Sequence, residues 1–259
     1  MTMKTFCFTV DDNIRFLKEI EQDRPESIFA HPYLAMYRRL HREYGVKVQL
    51  NLFYRLGDFA LSQMPDTYYR EWEENAAWLK LSFHSDCEIE DPYISSGYEE
   101  VYEDCRKVNE NIVRFASPAA LAKTTTIHWC QTTEAGVRAL ADHGIKGLLG
   151  LFGNSQNPKT SYSIREEQAK ELRSGKTVKL GDVHFAAIAL VLNNHSKEVI
   201  LEKLGTIQNR NAINVMIHEQ YFYSDYPAYQ SDFEEKLGEC FAYLNSKGYT
   251  SCFFEDVIR

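Results

Sequence analysis

Long apolar runs are missing from this sequence of 259 residues. No segment approaches the roughly 20 apolar residues that a membrane-spanning helix needs, and the first residues lack the apolar stretch and small-residue cleavage site of a signal peptide. No linker rich in proline, glycine and serine divides the chain, and no low-complexity segment interrupts it. The sequence therefore predicts a single domain over residues 1–259, in a cytoplasmic protein with no membrane partner.

An excess of positive charge is also missing. Lysine and arginine number 29 against 37 aspartate and glutamate residues, which gives a formal net charge of −8. Because binding to a phosphate backbone needs a concentrated basic surface, this balance argues against a nucleic-acid partner. The hydrophobic fraction of 44% instead suits a well-filled globular core.

The six cysteines include no Cys-x-x-Cys pair and no spacing typical of small disulfide-rich domains. Cys7 and Cys252 lie in strand-like runs, whereas Cys105 and Cys240 lie on the apolar stripes of predicted helices. These positions favour buried, reduced thiols over disulfides.

A helix, a glycine and an apolar strand follow one another three times along the chain. The first unit runs from a helix over Pro32–Tyr44 through Gly45 into a strand over Val46–Leu50. A glycine just past a helix supplies the left-handed residue that turns the chain back toward a strand. Further strands are predicted at Thr5–Val10, Leu79–Phe83, Thr124–Ile127, Leu148–Leu149, Phe185–Leu192, Ile213–Ile217 and Thr250–Phe254, with helices at Tyr98–Phe115 and Ser196–Gln208. This alternation is typical of α/β proteins and favours a closed or nearly closed barrel of about seven or eight parallel strands.

Acids and histidines directly follow four of these strands. In a parallel barrel the loops after the strands open on one face, where functional groups collect. The residues at these four positions are Asp11, Asp12, His84, Asp86, Glu88, His128, His218 and Glu219. Their convergence on one rim favours a functional site, in which one acid holds a metal ion while its neighbour serves as a base.

Each of these residues has an ordinary structural explanation when it is taken alone. Asp11 and Asp12 suit the N-terminus of a helix that begins near Ile14, and Glu88 suits a solvated acidic loop. A lone His84 is more often a hydrogen-bonded core histidine than a metal ligand. The shared placement at strand ends favours a site over coincidence.

Several segments resemble motifs of the polysaccharide deacetylases, the chitooligosaccharide deacetylase homology family. Phe8–Asn13 is similar to the first motif, in which a strand ends in Asp-Asp-Gly. The sequence His-Ser-x-x-Glu at 84–88 resembles the second motif, His-Ser/Thr-x-x-His, and Met-Ile-His at 216–218 resembles the fifth motif, Leu-x-His. The segment Leu244–Thr250 is similar to the closing helix–Gly–Tyr–strand unit of the family, so the resemblance spans nearly the whole chain.

The resemblance implies a distorted (β/α) barrel of about seven parallel strands, of the glycoside hydrolase/deacetylase type. It also implies a hydrolase that uses a divalent metal ion, with zinc as the first choice, to cleave an amide such as an N-acetyl group on a small or carbohydrate-derived substrate. By this analogy Asp11 is the general base and His218 the general acid. The implied metal ligands are Asp12, His84 and Glu88, with Asp86 and His128 as alternatives for the third ligand.

The chain departs from the family pattern at Asn13, which replaces the glycine of the first motif, at Glu88, which replaces a histidine of the second, and at two further motifs. Ile127–Cys130 stands where the family has Arg-x-Pro-x-Gly, and the fourth motif has no clear counterpart near Leu148–Phe152. These departures leave two alternatives: an enzyme that modifies a sugar or cleaves an amide with His128 and Glu219 in altered catalytic roles, or a barrel that binds a carbohydrate-like ligand without turnover. The tyrosines that follow His218 suit either sugar stacking or the interface of a homo-oligomer.

Overall fold

Strands and helices alternate along the computed structural model, which describes residues 4–153 and 161–258. The strands are β1 (Lys4–Asn13), β2 (Val48–Phe53), β3 (Arg55–Leu56), β4 (Phe59–Ala60), β5 (Leu79–Ser85), β6 (Thr124–Thr125), β7 (Gly147–Gly150), β8 (Val178–Leu180), β9 (Val183–Ala187), β10 (Leu190–Val191), β11 (Ala212–His218) and β12 (Tyr249–Ser251). The α-helices are α1 (Arg15–Asp23), α2 (Pro32–Tyr44), α3 (Tyr69–Asn75), α4 (Tyr98–Phe115), α5 (Glu134–Asp142), α6 (Glu166–Arg173), α7 (Lys197–Ile207), α8 (Phe233–Ser246) and α9 (Phe254–Val257).

Two sheets carry the fold. The larger sheet has the parallel order β10-β11-β1-β2-β5, with β12 also beside β1, and the smaller has the order β6-β7-β9-β8. Only β8 runs antiparallel to its neighbour in these two sheets, while β3 and β4 form a separate antiparallel hairpin. Along the central pair, Asp11 at the end of β1 lies opposite His218 at the end of β11.

Backbone hydrogen bonds join the two sheets into a ring. The amide of Leu81 in β5 donates to the carbonyl of Ala120, just before β6, at 2.8 Å. On the far side, the amide of Ile188 donates to the last carbonyl of β7 at 2.9 Å, and the amide of Ala189 donates to a carbonyl of β11 at 2.8 Å. The ring therefore runs β11, β1, β2, β5, β6, β7 and then β9 continued by β10, so the predicted α/β architecture with mostly parallel strands is confirmed.

Helices cover the outside of this ring. Phe6 and Phe8 lie on one face of β1, since they are two residues apart, and both rings pack on Phe241 of α8, with centroid distances of 5.9 and 5.0 Å. Phe8 also contacts Tyr37 of α2. Each of these four side chains is essentially fully buried, which contributes about 1.5–3 kcal/mol per aromatic ring.

The helix–glycine–strand units form as predicted. Gly45 follows α2 with φ 68° and Gly248 follows α8 with φ 78°, in the left-handed region that glycine adopts without a steric penalty. Pro32 occupies the first turn of α2, where its missing amide hydrogen costs nothing.

Several predicted strands differ from the structure in their bounds; β6, for example, ends at Thr125 instead of Ile127. The strand predicted over Phe185–Leu192 divides into β9 and β10, because the segment changes its hydrogen-bonding partner from β7 to β11. The strand predicted over Thr250–Phe254 ends at Ser251, and the chain turns into α9 where the carboxylate of Asp256 accepts from the Phe253 amide at 3.1 Å. A local side-chain acceptor there replaces the strand partner.

All six cysteines are free thiols, and four of them are buried, as predicted, whereas Cys87 and Cys252 are half-buried. Within the ranges 4–153 and 161–258, no helix combines the length and the apolar character needed to cross a bilayer. The single domain, the cytoplasmic location and the homo-oligomer stay predictions.

Candidate active site

The end of β1 breaks the regular alternation of a strand. Pairing with β2 is regular up to Val10, and the register then shifts before Asn13. Asp12 adopts a left-handed conformation with φ 62°. Consecutive side chains of a regular strand point to opposite faces, and a bulge with a left-handed residue redirects one of them. Asp11 and Asp12 consequently line the same cleft.

Three ligand-type atoms meet at one point of this cleft. Asp12 Oδ1 lies 3.0 Å from His84 Nε2 and 3.2 Å from His128 Nδ1, and the two nitrogens are 3.2 Å apart. Atoms bound to zinc at about 2.0 Å in a tetrahedron lie about 3.3 Å apart. Asp12, His84 and His128 therefore form a group able to hold a divalent metal ion.

Neighbouring groups orient these three side chains. His84 Nδ1 lies 2.5 Å from the Thr126 carbonyl, which can only accept, so Nδ1 carries a hydrogen and Nε2 is the nitrogen that faces Asp12. The side-chain amide of Gln220 donates to Asp12 Oδ2 at 2.8 Å, which holds the second carboxylate oxygen. This arrangement of a carboxylate–histidine group with fixed tautomer is typical of metal sites.

The electrostatics of the group favour a cation. Burial opposes ionisation of Asp12, but hydrogen bonds from His128 and His84 outweigh it and hold the pKa of this carboxyl well below its usual range. Burial also opposes the charged form of His84, yet the charge of Asp11 and the hydrogen bond to Asp12 raise the pKa of its ring on balance. The carboxyl groups of Asp11 and Asp12 therefore stabilise positive charge in the cleft.

Asp11 lies beside this group and has a different environment. Its Oδ1 accepts a hydrogen bond of 2.6 Å from the side-chain amide of Asn51. Burial raises the pKa of Asp11, against the opposing charges of His84 and His218. A buried carboxylate with a raised pKa is suited to taking up a proton.

His218 completes the rim across the pair β1–β11. Its Nδ1 donates to the side-chain oxygen of Asn193 at 2.9 Å, so Nε2 is the ring nitrogen available for other contacts. Asn193 belongs to the short 3₁₀ turn after β10. His218 lines the same cleft as Asp11 and Asp12.

Asn51 and Asn193 are site residues that sequence reasoning missed. Asn51 comes directly after the strand predicted over Val46–Leu50, and Asn193 comes directly after the strand predicted over Phe185–Leu192. The rule that strand ends carry the functional groups therefore identifies both, once amides are counted together with acids and histidines.

Glu219 occupies a different place from its neighbour His218. Its carboxylate accepts from the backbone amides of Ile14, Arg15 and Phe16 at 2.7, 3.0 and 2.8 Å, and from the hydroxyl of Tyr223 at 2.9 Å. A carboxylate at this position satisfies the free amides at the start of α1 and complements the helix dipole. Glu219 is therefore not brought to the cleft that holds Asp11 and His218.

The other acidic candidates also lie apart from the metal-binding group. Glu88 is exposed at the rim of the cleft and is not a member of the group. Asp86 pairs with Arg55 at 2.7 Å. Of the three candidates for the third ligand, the structure brings His128 to Asp12 and His84.

Aromatic side chains line part of the cleft, which has a volume of about 680 Å³. Trp129 is 52% exposed and lies at the edge, with Tyr221 and Tyr226 also lining the cleft. Trp129 and Cys130 have φ values of 60° and 55°, a left-handed conformation that non-glycine residues seldom adopt. Such strain is concentrated at functional sites, and here it follows directly after His128.

The chain is similar to known proteins in its fold and not in its sequence. No family model and no curated protein sequence matches the chain. Among solved structures, a 4-α-glucanotransferase from Thermococcus litoralis superposes with a TM-score of 0.62 at 12% identity, over 99% of this chain and 40% of that one. The Bc1960 peptidoglycan N-acetylglucosamine deacetylase superposes with a TM-score of 0.57 at 11% identity, over 99% and 88% of the two chains. The fold is that of the polysaccharide deacetylases.

The same fold occurs with and without catalysis. A CE4 family pseudoenzyme from Bacillus anthracis superposes with a TM-score of 0.54 at 11% identity, over 99% of this chain and 66% of that one. The resemblance to the polysaccharide deacetylases is thereby confirmed at the level of the fold. Because one fold serves a deacetylase and a pseudoenzyme, activity has to be argued from the site.

Proposed function

We propose that this protein is a metal-dependent hydrolase that cleaves a carbon–nitrogen amide bond, such as an N-acetyl group, on a small or carbohydrate-derived substrate. One observation carries the proposal: ligand atoms of Asp12, His84 and His128 lie 3.0–3.2 Å apart, in a cleft that Asp11 and His218 also line. A structural role for these residues does not require two acids and three histidines in one cleft.

Asp12, His84 and His128 are the residues that would hold the metal, with zinc as the first choice for one carboxylate and two imidazoles. His128 thus replaces Glu88 as the proposed third ligand. When bound, the divalent ion supplies a water of lowered pKa and polarises the amide carbonyl. Gln220 and the Thr126 carbonyl hold the ligands in place through their second polar atoms.

Asp11 and His218 divide the proton transfers between them. Asp11 takes a proton from the attacking water as general base, since its burial favours the protonated product. His218 donates a proton to the departing amine from Nε2, because Nδ1 is committed to Asn193. An amine leaves poorly unless it is protonated, so the acid is as necessary as the base.

Aromatic side chains in the cleft support a carbohydrate-derived substrate. The cleft that holds the metal-binding group is also lined by Trp129, Tyr221 and Tyr226. Faces of sugar rings are apolar enough to stack on such side chains, while their hydroxyl groups bind polar atoms at the rim.

Metal content and acetate release test the proposal together. Purified protein loaded with zinc should hold one equivalent by elemental analysis, and Asp12→Ala and His84→Ala should hold much less. The loaded protein should release acetate from N-acetylated sugars or small amides, and Asp11→Asn should not. Absence of bound metal in wild type would refute the hydrolase, whereas metal binding without release of acetate or amine would favour the barrel that binds ligand without turnover.

A further inference from the structure

A row of polar side chains lies inside the barrel beneath Asp11. Gln49 and Asn51 are two residues apart on β2 and so point to the same face, and Thr124 of β6 lies beside Gln49. Their exposed fractions are 2%, 0% and 0%. Burying polar groups costs free energy unless each is hydrogen-bonded, so the row must satisfy itself internally.

The hydrogen bonds of this row have one possible direction. The backbone carbonyl of Thr124 can only accept, so the atom of Gln49 that lies 2.8 Å from it is the nitrogen Nε2. The other side-chain atom of Gln49, Oε1, accepts from the Thr124 hydroxyl at 3.0 Å. The orientation of the Gln49 amide is therefore determined by a backbone group.

The oriented amide of Gln49 in turn determines the orientation of Asn51. The second hydrogen of Gln49 Nε2 is donated to Asn51 Oδ1 at 2.8 Å. Asn51 must then present its nitrogen Nδ2 on its other side, where Asp11 Oδ1 accepts at 2.6 Å. The backbone carbonyl of Asn51 accepts separately, from the side-chain amide of Asn13 at 3.2 Å.

The row of hydrogen bonds ends at Asp11 with a neutral donor, the side-chain amide of Asn51. A donor directed at Oδ1 keeps that oxygen an acceptor, because a hydrogen on Oδ1 would meet the N–H of Asn51 head-on. Within the ranges 4–153 and 161–258, no side chain or backbone group donates to Oδ2 of Asp11. The carboxylate is thus held at one oxygen and left open at the other.

We infer that Asn51, and Gln49 acting through it, are positioning residues that orient the Asp11 carboxylate so that Oδ2 is the oxygen that takes the proton from the attacking water. This inference rests on the proposed function, in which Asp11 is the base. Neither residue touches the metal-binding group of Asp12, His84 and His128, so the loss of either should affect turnover and leave metal binding intact.

The kinetic test uses Asn51→Ala and Gln49→Ala, with Asn214→Ala as the matched control. Asn214 is a barrel asparagine whose amide donates to the Ala187 carbonyl at 2.9 Å instead of to a carboxylate. We expect Asn51→Ala to lower kcat about 10- to 100-fold, the effect of one hydrogen bond to a charged group, with KM within about twofold of wild type. The double variant should fall no further than Asn51→Ala alone, because Gln49 acts only through Asn51.

Zinc stoichiometry separates positioning from a general loss of structure. Asn51→Ala should bind one equivalent of zinc with wild-type affinity, and Asn51→Leu, whose side chain branches like that of asparagine with the same number of heavy atoms, repeats the measurement without a cavity. Wild-type kcat in both variants would overturn the inference. Equal falls in kcat and zinc content would also overturn it, since they indicate a structural role.

The hydrogen bond between Asn51 and Asp11 is measured without an activity assay. A double-mutant cycle of Asn51→Ala and Asp11→Ala in chemical unfolding should give a non-additive free energy, because both changes remove the same hydrogen bond. Additive effects would overturn the inference. A different result separates the two proposals. If the wild-type protein is inactive on every amide but the free energies of Asn51→Ala and Asp11→Ala are non-additive, the proposed function is refuted and the orientation of Asp11 stands.

Discussion

Replacing Glu219 by glutamine should destabilise the protein without removing the metal. The two oxygens of Glu219 divide four donors: Oε2 accepts from the amides of Ile14 and Arg15, and Oε1 accepts from the amide of Phe16 and the hydroxyl of Tyr223. The side chain is 1% exposed, so water cannot replace a lost acceptor directly. Glutamine keeps one oxygen and places an NH₂ group against the other two donors.

The magnitude follows from the two lost hydrogen bonds. Bonds to a charged acceptor contribute about 1.5–3 kcal/mol each, which gives about 3–6 kcal/mol for two. We expect the lower end of this range, because Arg15 is half-buried and the hydroxyl of Tyr223 can turn to accept from the new NH₂ group. A loss of about 3 kcal/mol is a large part of the 5–15 kcal/mol that stabilises a typical domain.

Chemical unfolding in urea measures this loss directly. Glu219→Gln should lower the midpoint with little change in slope, whereas the exposed control Glu88→Gln should stay within about 0.5 kcal/mol of wild type. Zinc content should remain at one equivalent in both. If Glu219→Gln has wild-type stability but no activity, the capping explanation is refuted and a catalytic role for Glu219 is favoured.

Three further outcomes are expected. His128→Ala should weaken zinc binding by more than tenfold while Glu88→Ala leaves it unchanged, as measured by calorimetry. Weaker binding in Glu88→Ala and unchanged binding in His128→Ala would instead make Glu88 the third ligand. Phe241→Ala should cost about 3–5 kcal/mol in urea unfolding, because its ring is fully buried between β1 and α2, and a loss below about 1 kcal/mol would contradict this packing. Cys7 Sγ lies 3.7 Å from Cys252 Sγ, and this contact lowers the pKa of Cys252, whereas burial raises the pKa of Cys87. Iodoacetamide at pH 8 should therefore modify Cys252 faster than Cys87 in native protein, and faster modification of Cys87, measured by mass spectrometry, would contradict this difference in thiol pKa.

Much of the fold was predictable because its signals are local. The apolar positions of Tyr98–Phe115 repeat at spacings of three and four, and the structure has a helix with these same bounds. Gly45 and Gly248 lie where a left-handed residue is needed, and their backbones adopt it. The break between β9 and β10 was not predictable, since it depends on a change of partner strand that the segment itself does not encode.

The site was predictable in outline and not in detail. Strand ends placed Asp11, Asp12, His84 and His218 on one rim, and the structure brings all four to one cleft. Glu219 stands next to His218 in the sequence, but the chain turns between them, so its carboxylate meets the start of α1 instead. Spacing within one segment cannot report such a contact with another.

The sequence by itself determined the alternation of helices and strands, the balance of charge and the residues that end each strand, because these depend on near neighbours. The tertiary structure alone decided that His128 joins Asp12 and His84, and that Asn51 and Asn193 hold Asp11 and His218. These contacts join strands far apart along the chain, and their distances follow from the closure of the barrel and the bulge at Asp12. A motif can nominate a ligand, but only the packed ring sets which atoms come within about 3 Å of one another.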